Sequence, residues 1–236
     1  MGFVPTVSNT VRRLPVILLL DVSGSMSYEN RIGSLNTAVQ EMIDSFKNNE
    51  QKEVNIALSV ITFGGNATVQ LPLSDVKDIT FTRTFNANGD TPLGAALRIA
   101  KSMIEDKELI RSRDYRPTIV LASDGGPNDE WEYLMNDFIS NGRSSKCDRW
   151  ALAIGESADE DMLKKFLKGT ENQLLHACNA NQLVNFFKLI SMSINTRSKS
   201  QNPNMLPRLT QSTAMSGNLL DSNTALISSL FQIEAK

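Results

Sequence analysis

Apolar side chains run without a break from Leu14 to Leu20, closed by Arg13 on one side and Asp21 on the other. A strand covered on both faces, as at the centre of a parallel sheet, carries this pattern because neither face meets water. Ile32, Leu35, Val39, Met42, Ile43 and Phe46 then recur at helical spacing and predict an amphipathic helix lying on that sheet. Val54 to Phe63 is rich in β-branched residues, Gly64-Gly65-Asn66 is a turn, and Ala67 to Leu71 returns as a short strand, so one edge of the sheet is antiparallel. Thr91-Pro92 opens a second helix with Leu93, Leu97, Ala100 and Ile104 on its buried side.

Arg116 to Ala122 is the next strand. Asn128 stands where a helix cap would, Asp129 and Glu130 suit a positive helix start, and Trp131, Leu134, Met135 and Phe138 face inward until Gly142 ends the helix. Trp150 to Ile154, a helix around Met162 to Leu167, a short strand near Leu174-Leu175 and a helix from Gln182 to about Ile194 complete the alternation. Strands alternating with helices predict an α/β fold, doubly wound around a mostly parallel sheet with an antiparallel edge strand and helices on both faces.

The boundaries that follow are an N-terminal extension over 1–13, one α/β domain over 14–196 and a polar linker over 197–236. The linker is rich in Ser, Asn, Thr and Gln, yet Leu226, Ile227, Leu230 and Phe231 make one apolar face, preceded by a cap at Ser222 or Asn223, and predict a short docked helix. No repeat is visible.

Composition narrows the function. The 24 Lys and Arg against 26 Asp and Glu leave a net charge of -2, which gives no bulk attraction to nucleic acid or to an anionic membrane. The two cysteines, Cys147 and Cys178, form neither a CxxC pair nor a disulfide framework, which fits a reducing, cytoplasmic location. No apolar run approaches the ~20 residues of a spanning helix. Arg12-Arg13 imitates an export signal without the apolar core or cleavage site that export requires, and Met1-Gly2 with Thr6 satisfies only a loose acylation pattern.

In open α/β sheets ligands bind beyond the carboxyl ends of the strands, so polar residues that follow strands directly are the candidates. Three segments qualify: Asp21-Val22-Ser23-Gly24-Ser25 after the central strand, Thr91 in Gly89-Asp90-Thr91-Pro92, and Ser123-Asp124-Gly125-Gly126 after the next strand. Asp21, Ser23 and Ser25 alternate and can point the same way. The set offers oxygen donors only, with no imidazole or thiolate, which suits Mg2+ or Mn2+ rather than zinc. Three hydroxyls can bind directly and two carboxylates through metal-bound waters, leaving one position for an anionic oxygen from outside the chain.

These residues resemble, in order and setting, the metal-ion-dependent adhesion site of von Willebrand factor A domains, a likeness that covers roughly Leu14 to Ile194. A closer likeness is to the bacterial TerY-type A domains of tellurite-resistance and stress clusters, through Leu14 to Asp21, Val60-Ile61-Thr62-Phe63 and Thr91 to Leu97. The resemblance implies direct ligation by Ser23, Ser25 and Thr91, with Asp21 and Asp124 acting mostly through water, and binding rather than catalysis. The implied partner is a protein that supplies an Asp or Glu to the metal; in the TerY setting partners include a Ser/Thr kinase and a PP2C-type phosphatase. Ser123 departs from the family, in which Thr commonly precedes the Asp-Gly pair.

Each segment alone has a plainer reading, as a capped turn, a helix cap and an ordinary turn; their order at three strand or helix ends is what points to a metal. His176 is the one histidine and is expected to be structural, and no phosphate-binding loop or nucleophile elbow exists. The enzymatic alternative is a magnesium-dependent phosphotransferase with Asp21 as nucleophile, against which Ser23 stands where a second acid would be needed. A further alternative is a structural subunit whose metal only staples loops.

Overall fold

The computed structural model describes residues 11–48, 54–80 and 82–204. Six strands form one sheet in the order β3-β2-β1-β4-β5-β6, built from β1 (Arg13–Asp21), β2 (Asn55–Gly64), β3 (Asn66–Asp75), β4 (Thr118–Ser123), β5 (Asp148–Ile154) and β6 (Leu175–Ala177). β1 pairs in parallel with β2 and β4, β4 with β5, and β5 with β6. Among the described residues only the β2–β3 hairpin is antiparallel, which gives the mixed edge that the glycine turn predicts. β3 runs on to Asp75, beyond the expected Leu71, across register shifts at Leu58, Val60 and Ile61 that absorb the change of pleat.

The helices are α1 (Arg31–Lys47), α2 (Leu93–Glu105), α3 (Trp131–Ser140), α4 (Glu160–Leu167) and α5 (Ala180–Lys199). α1 packs on α5, and α2 on α3 with α4 beyond it. Period-two alternation along β1 explains the two layers: Ile17 and Leu19 enter one core with Leu93, Leu97, Phe138, Leu163 and Phe166. Val16, Leu18 and Leu20 alternate with them toward the opposite face and are equally buried. All of β1 from Leu14 to Leu20 is buried, and each such leucine contributes about 1.5–3 kcal/mol over an exposed one.

Two local expectations are corrected. Asn128 does not cap α3, whose preceding residue Glu130 makes no side-chain cap bond. Asp129 instead caps the helix beside it: its carboxylate accepts from Gly94 N at 3.0 Å and Ala95 N at 2.9 Å, at the start of α2. The sequence reading looks for a cap next in the chain, whereas the fold brings one in from a neighbouring loop.

The opposite end of the sheet is held by arginines. Arg12 lies 3.8 Å over the Tyr115 ring, and Arg13 and Arg111 both bond the buried Asp114 at 3.0 Å, so the dibasic pair serves the fold. Arg197, within the 197–236 segment, is buried near the end of α5 and bonds Pro203 O, Arg116 O and Thr118 Oγ1. The apolar face at Leu226, Ile227, Leu230 and Phe231 lies outside the described residues. Among those described, no helix is long and apolar enough to cross a membrane.

Candidate metal centre

From β1 the chain passes to β2 on one side and later returns to β4 on the other, so the strand order reverses between β1 and β4 and a crevice opens at their carboxyl ends. Leu20 pairs with Ala122, which sets the next residues, Asp21 and Ser123, side by side. Ser123 Oγ donates to Asp21 Oδ2 at 2.6 Å, and Ser23 N donates to Asp21 Oδ1 at 2.9 Å. The serine that stands in place of the family's threonine therefore keeps a hydroxyl on the aspartate.

A chain of oxygens continues from there. Ser23 Oγ and Ser25 Oγ are 3.0 Å apart, and Ser25 Oγ donates to Asp124 Oδ1 at 2.7 Å. Asp21, Ser23 and Asp124 are at most 2% exposed, whereas Ser25 reaches solvent. Four of the five predicted residues are thus joined by hydrogen bonds at one crevice.

Thr91 comes in on a backbone lattice. Gly24 N donates to Gly89 O at 2.9 Å, Gly65 N to Asp90 O at 2.8 Å, and Asn88 N to Val22 O at 2.8 Å. Thr91 itself is 9% exposed and exchanges bonds with Asn128, whose Oδ1 accepts from Thr91 N at 3.1 Å while its N donates to Thr91 O at 3.2 Å. The β2–β3 turn is therefore more than a hairpin. A Cβ on Gly64 would stand 2.4 Å from Val22 O, and one on Gly89, whose φ is +69°, 2.5 Å from Gly65 Cα, so both glycines let the three loops close on one another.

Electrostatics favour a cation here. Burial raises the Asp21 carboxyl above the usual carboxylate range, hydrogen bonds from Ser123 and Ser23 work against that rise, and the charge of Asp124 adds to it. Two buried carboxylates face one cation, Arg31, whose Nη1 lies 3.0 Å from Asp124 Oδ2. Among the described residues no three His, Cys, Asp or Glu side chains cluster as a metal site, so any ion here must rely on hydroxyls. Hydroxyl-rich, all-oxygen donor sets with two carboxylates fit a hard divalent cation.

The sequence pattern gives no sign of Arg31, offers Asn128 only as a helix cap and Gly89 only as part of the Thr91 segment. The left-handed Gly89 in Gly89-Asp90 was the one local signal; Arg31 and Asn128 act across 93 and 37 positions of chain, where no spacing rule reaches. His176 lies on edge strand β6, half exposed, with Nδ1 3.7 Å from Glu160.

Residues 16–127 match the family model of the von Willebrand factor type A domain. The fold is a von Willebrand factor type A fold. Proximal thread matrix protein 1 of the mussel byssus matches with a TM-score of 0.62 at 19% identity, over 77% of this chain and 48% of that one. The pilus adhesin SpaC of Lactobacillus rhamnosus GG matches at 0.63 and 15%, over 80% and 31%. The ArnB paralogue VWA2 of Sulfolobus acidocaldarius matches at 0.55 and 19%, over 80% and 46%. The chain spans about half or less of each of those proteins. Another structure of the mussel protein has a zinc-occupied metal-ion-dependent adhesion site. No curated protein matches.

Proposed function

We propose that this A-type domain is a metal-dependent protein-binding module rather than an enzyme. The observation that carries the reading is the hydrogen-bonded set at the switch point of the sheet: Ser123 and Ser23 N on Asp21, and Ser23 through Ser25 to Asp124. A divalent cation, Mg2+ or Mn2+, would be held by Ser23, Ser25 and Thr91 directly and by Asp21 and Asp124 through water. When bound it supplies a Lewis-acidic position for an Asp or Glu oxygen of a partner protein. Neutral hydroxyls leave the ion electron-poor, and the buried carboxylates, already engaged by Ser23, Ser123 and Ser25, are held back from replacing the partner.

The phosphotransferase alternative needs Asp21 to attack, yet both its oxygens already accept bonds and its side chain is fully buried. No general acid stands two residues on, where Ser23 sits. The reading of a loop-stapling metal is weakened by the direct loop-to-loop backbone bonds, which hold the three loops together on their own. Adhesion appears in the name of the SpaC neighbour and accords with a binding role. The finer assignment, a cytoplasmic bacterial stress or tellurite-response protein with a Ser/Thr kinase and a PP2C-type phosphatase as partners, is supported by the TerY-type segments alone; two unpaired thiols accord with a reducing compartment.

Co-purification with candidate partners in Mn2+ and in EDTA tests the proposal. Binding lost on chelation and in Asp124→Ala supports it; a complex indifferent to both overturns it. Phosphatase turnover abolished by Asp21→Asn would establish the enzymatic alternative instead.

A further inference from the structure

One group at the crevice has no place in the donor set. Arg31, the first residue of α1, extends its guanidinium to Asp124 Oδ2 at 3.0 Å and is 14% exposed on its side chain. Asp124 is therefore split between two tasks: Oδ1 takes the Ser25 hydroxyl and Oδ2 takes the arginine. Asp21, the other carboxylate, meets only neutral donors.

The arginine is seated in a cut niche. A Cβ on Gly155, the residue after β5, would stand 2.4 Å from Arg31 Nη2, so only a glycine there admits the fork. The Tyr28 ring, 63% exposed, lies 5.2 Å from the guanidinium carbon, and Glu29 Oε2 approaches Nη2 at 3.9 Å. Glu29 is itself largely exposed.

We propose that Arg31 sets the charge of the metal site and thereby its choice of ligand; this rests on the metal-binding reading above. The two buried carboxylates and the arginine sum to minus one, with Glu29 left out of the count because water screens its largely exposed carboxylate. A dication then leaves plus one, so the occupied site still calls for one anion, whereas without Arg31 it would be neutral and satisfied. The arginine thus weakens the hold on the metal, because like charges repel across a poorly solvated site, and strengthens the hold on a carboxylate.

The two effects have opposite signs, which a structural salt bridge would not produce. Arg31→Gln is expected to bind Mn2+ about tenfold more tightly by calorimetry, the scale of one unit charge at close range in a partly wetted site. The Mn2+-loaded variant is expected to bind acetate, the carboxylate probe, several-fold more weakly than the parent. Arg31→Lys, which keeps the charge, should stay near the parent in both. Gly155→Ala, which crowds the fork without removing it, should shift Mn2+ affinity in the same direction as Arg31→Gln but by less, and serves should that variant fail to fold. Mn2+ affinity in Arg31→Gln that is unchanged or weaker overturns the inference. If Asp21→Ala and Thr91→Ala also leave Mn2+ binding intact, the metal site itself is wrong; if they abolish it while Arg31→Gln shifts nothing, only the role of Arg31 falls.

Discussion

Arg197→Met removes a buried cation while keeping most of the apolar stem. In the parent its guanidinium, 1% exposed, bonds Pro203 O at 2.9 Å and Arg116 O at 3.0 Å, and lies 3.5 Å from Asp148 Oδ2. Asp148 is 3% exposed and keeps two neutral donors, Trp150 Nε1 at 2.9 Å and Asn172 Nδ2 at 2.8 Å. The variant therefore leaves one buried carboxylate without its counter-ion and two carbonyls without donors. Breaking a buried pair costs about 3–5 kcal/mol, and the two remaining donors on Asp148 place this case at the lower end, about 3–4 kcal/mol. For a domain of this size that is a fall of roughly 6–16 °C in midpoint. Urea unfolding followed by tryptophan fluorescence measures it, with Trp150 itself reporting on the network. Adding Asp148→Asn should cost less than the sum of the two single changes, since it discharges the orphaned carboxylate. A loss under about 1 kcal/mol in Arg197→Met would refute the argument that this arginine locks α5 to the sheet.

Gly89→Ala forces a side chain into a left-handed position and against Gly65, so it should cost at least ~1 kcal/mol and weaken metal binding through the Gly89 O to Gly24 N bond; equal stability and Mn2+ affinity would count against the lattice of loops. Burial pushes the Cys147 thiol up to about 12, whereas Cys178 is exposed, so a thiol reagent should modify Cys178 in the folded protein and Cys147 only on unfolding; equal rates would contradict this. Burial alone would raise the Asp114 carboxyl, but bonds from Arg111 and Arg13 outweigh it and hold it below its ordinary value. A depressed folded value gives stability that is complete above the unfolded value of about 4 and is lost as pH falls through the folded one, so the gap between parent and Asp114→Asn should be constant above about pH 5 and close in acid. A gap that does not narrow in acid denaturation speaks against it.

The central strand was legible because burial on both faces leaves no polar position, and α1 because its stripe repeats every turn. Asp21, Ser23 and Ser25 stood out for the same local reason, two-residue alternation just past a strand. What escaped was every partner chosen across the fold: Asp129 capping α2, Asn128 holding Thr91, and Arg31 reaching Asp124. Helix-capping rules act within one turn, and a loop that belongs to one helix by sequence can serve another by packing. Arg197 reads as a charged residue opening a polar tail, because nothing in the local pattern announces that three backbone and side-chain acceptors await it.

Titration of the metal-free domain with Mn2+ by calorimetry, for the parent beside Asp21→Ala and Thr91→Ala, addresses the central claim most directly. The parent should bind one ion weakly, and both variants should lose that binding while keeping the parent's circular dichroism, since each change deletes a polar side chain beyond a strand end and leaves the apolar core untouched. Binding of equal strength in all three proteins, or no binding in the parent, would contradict the account.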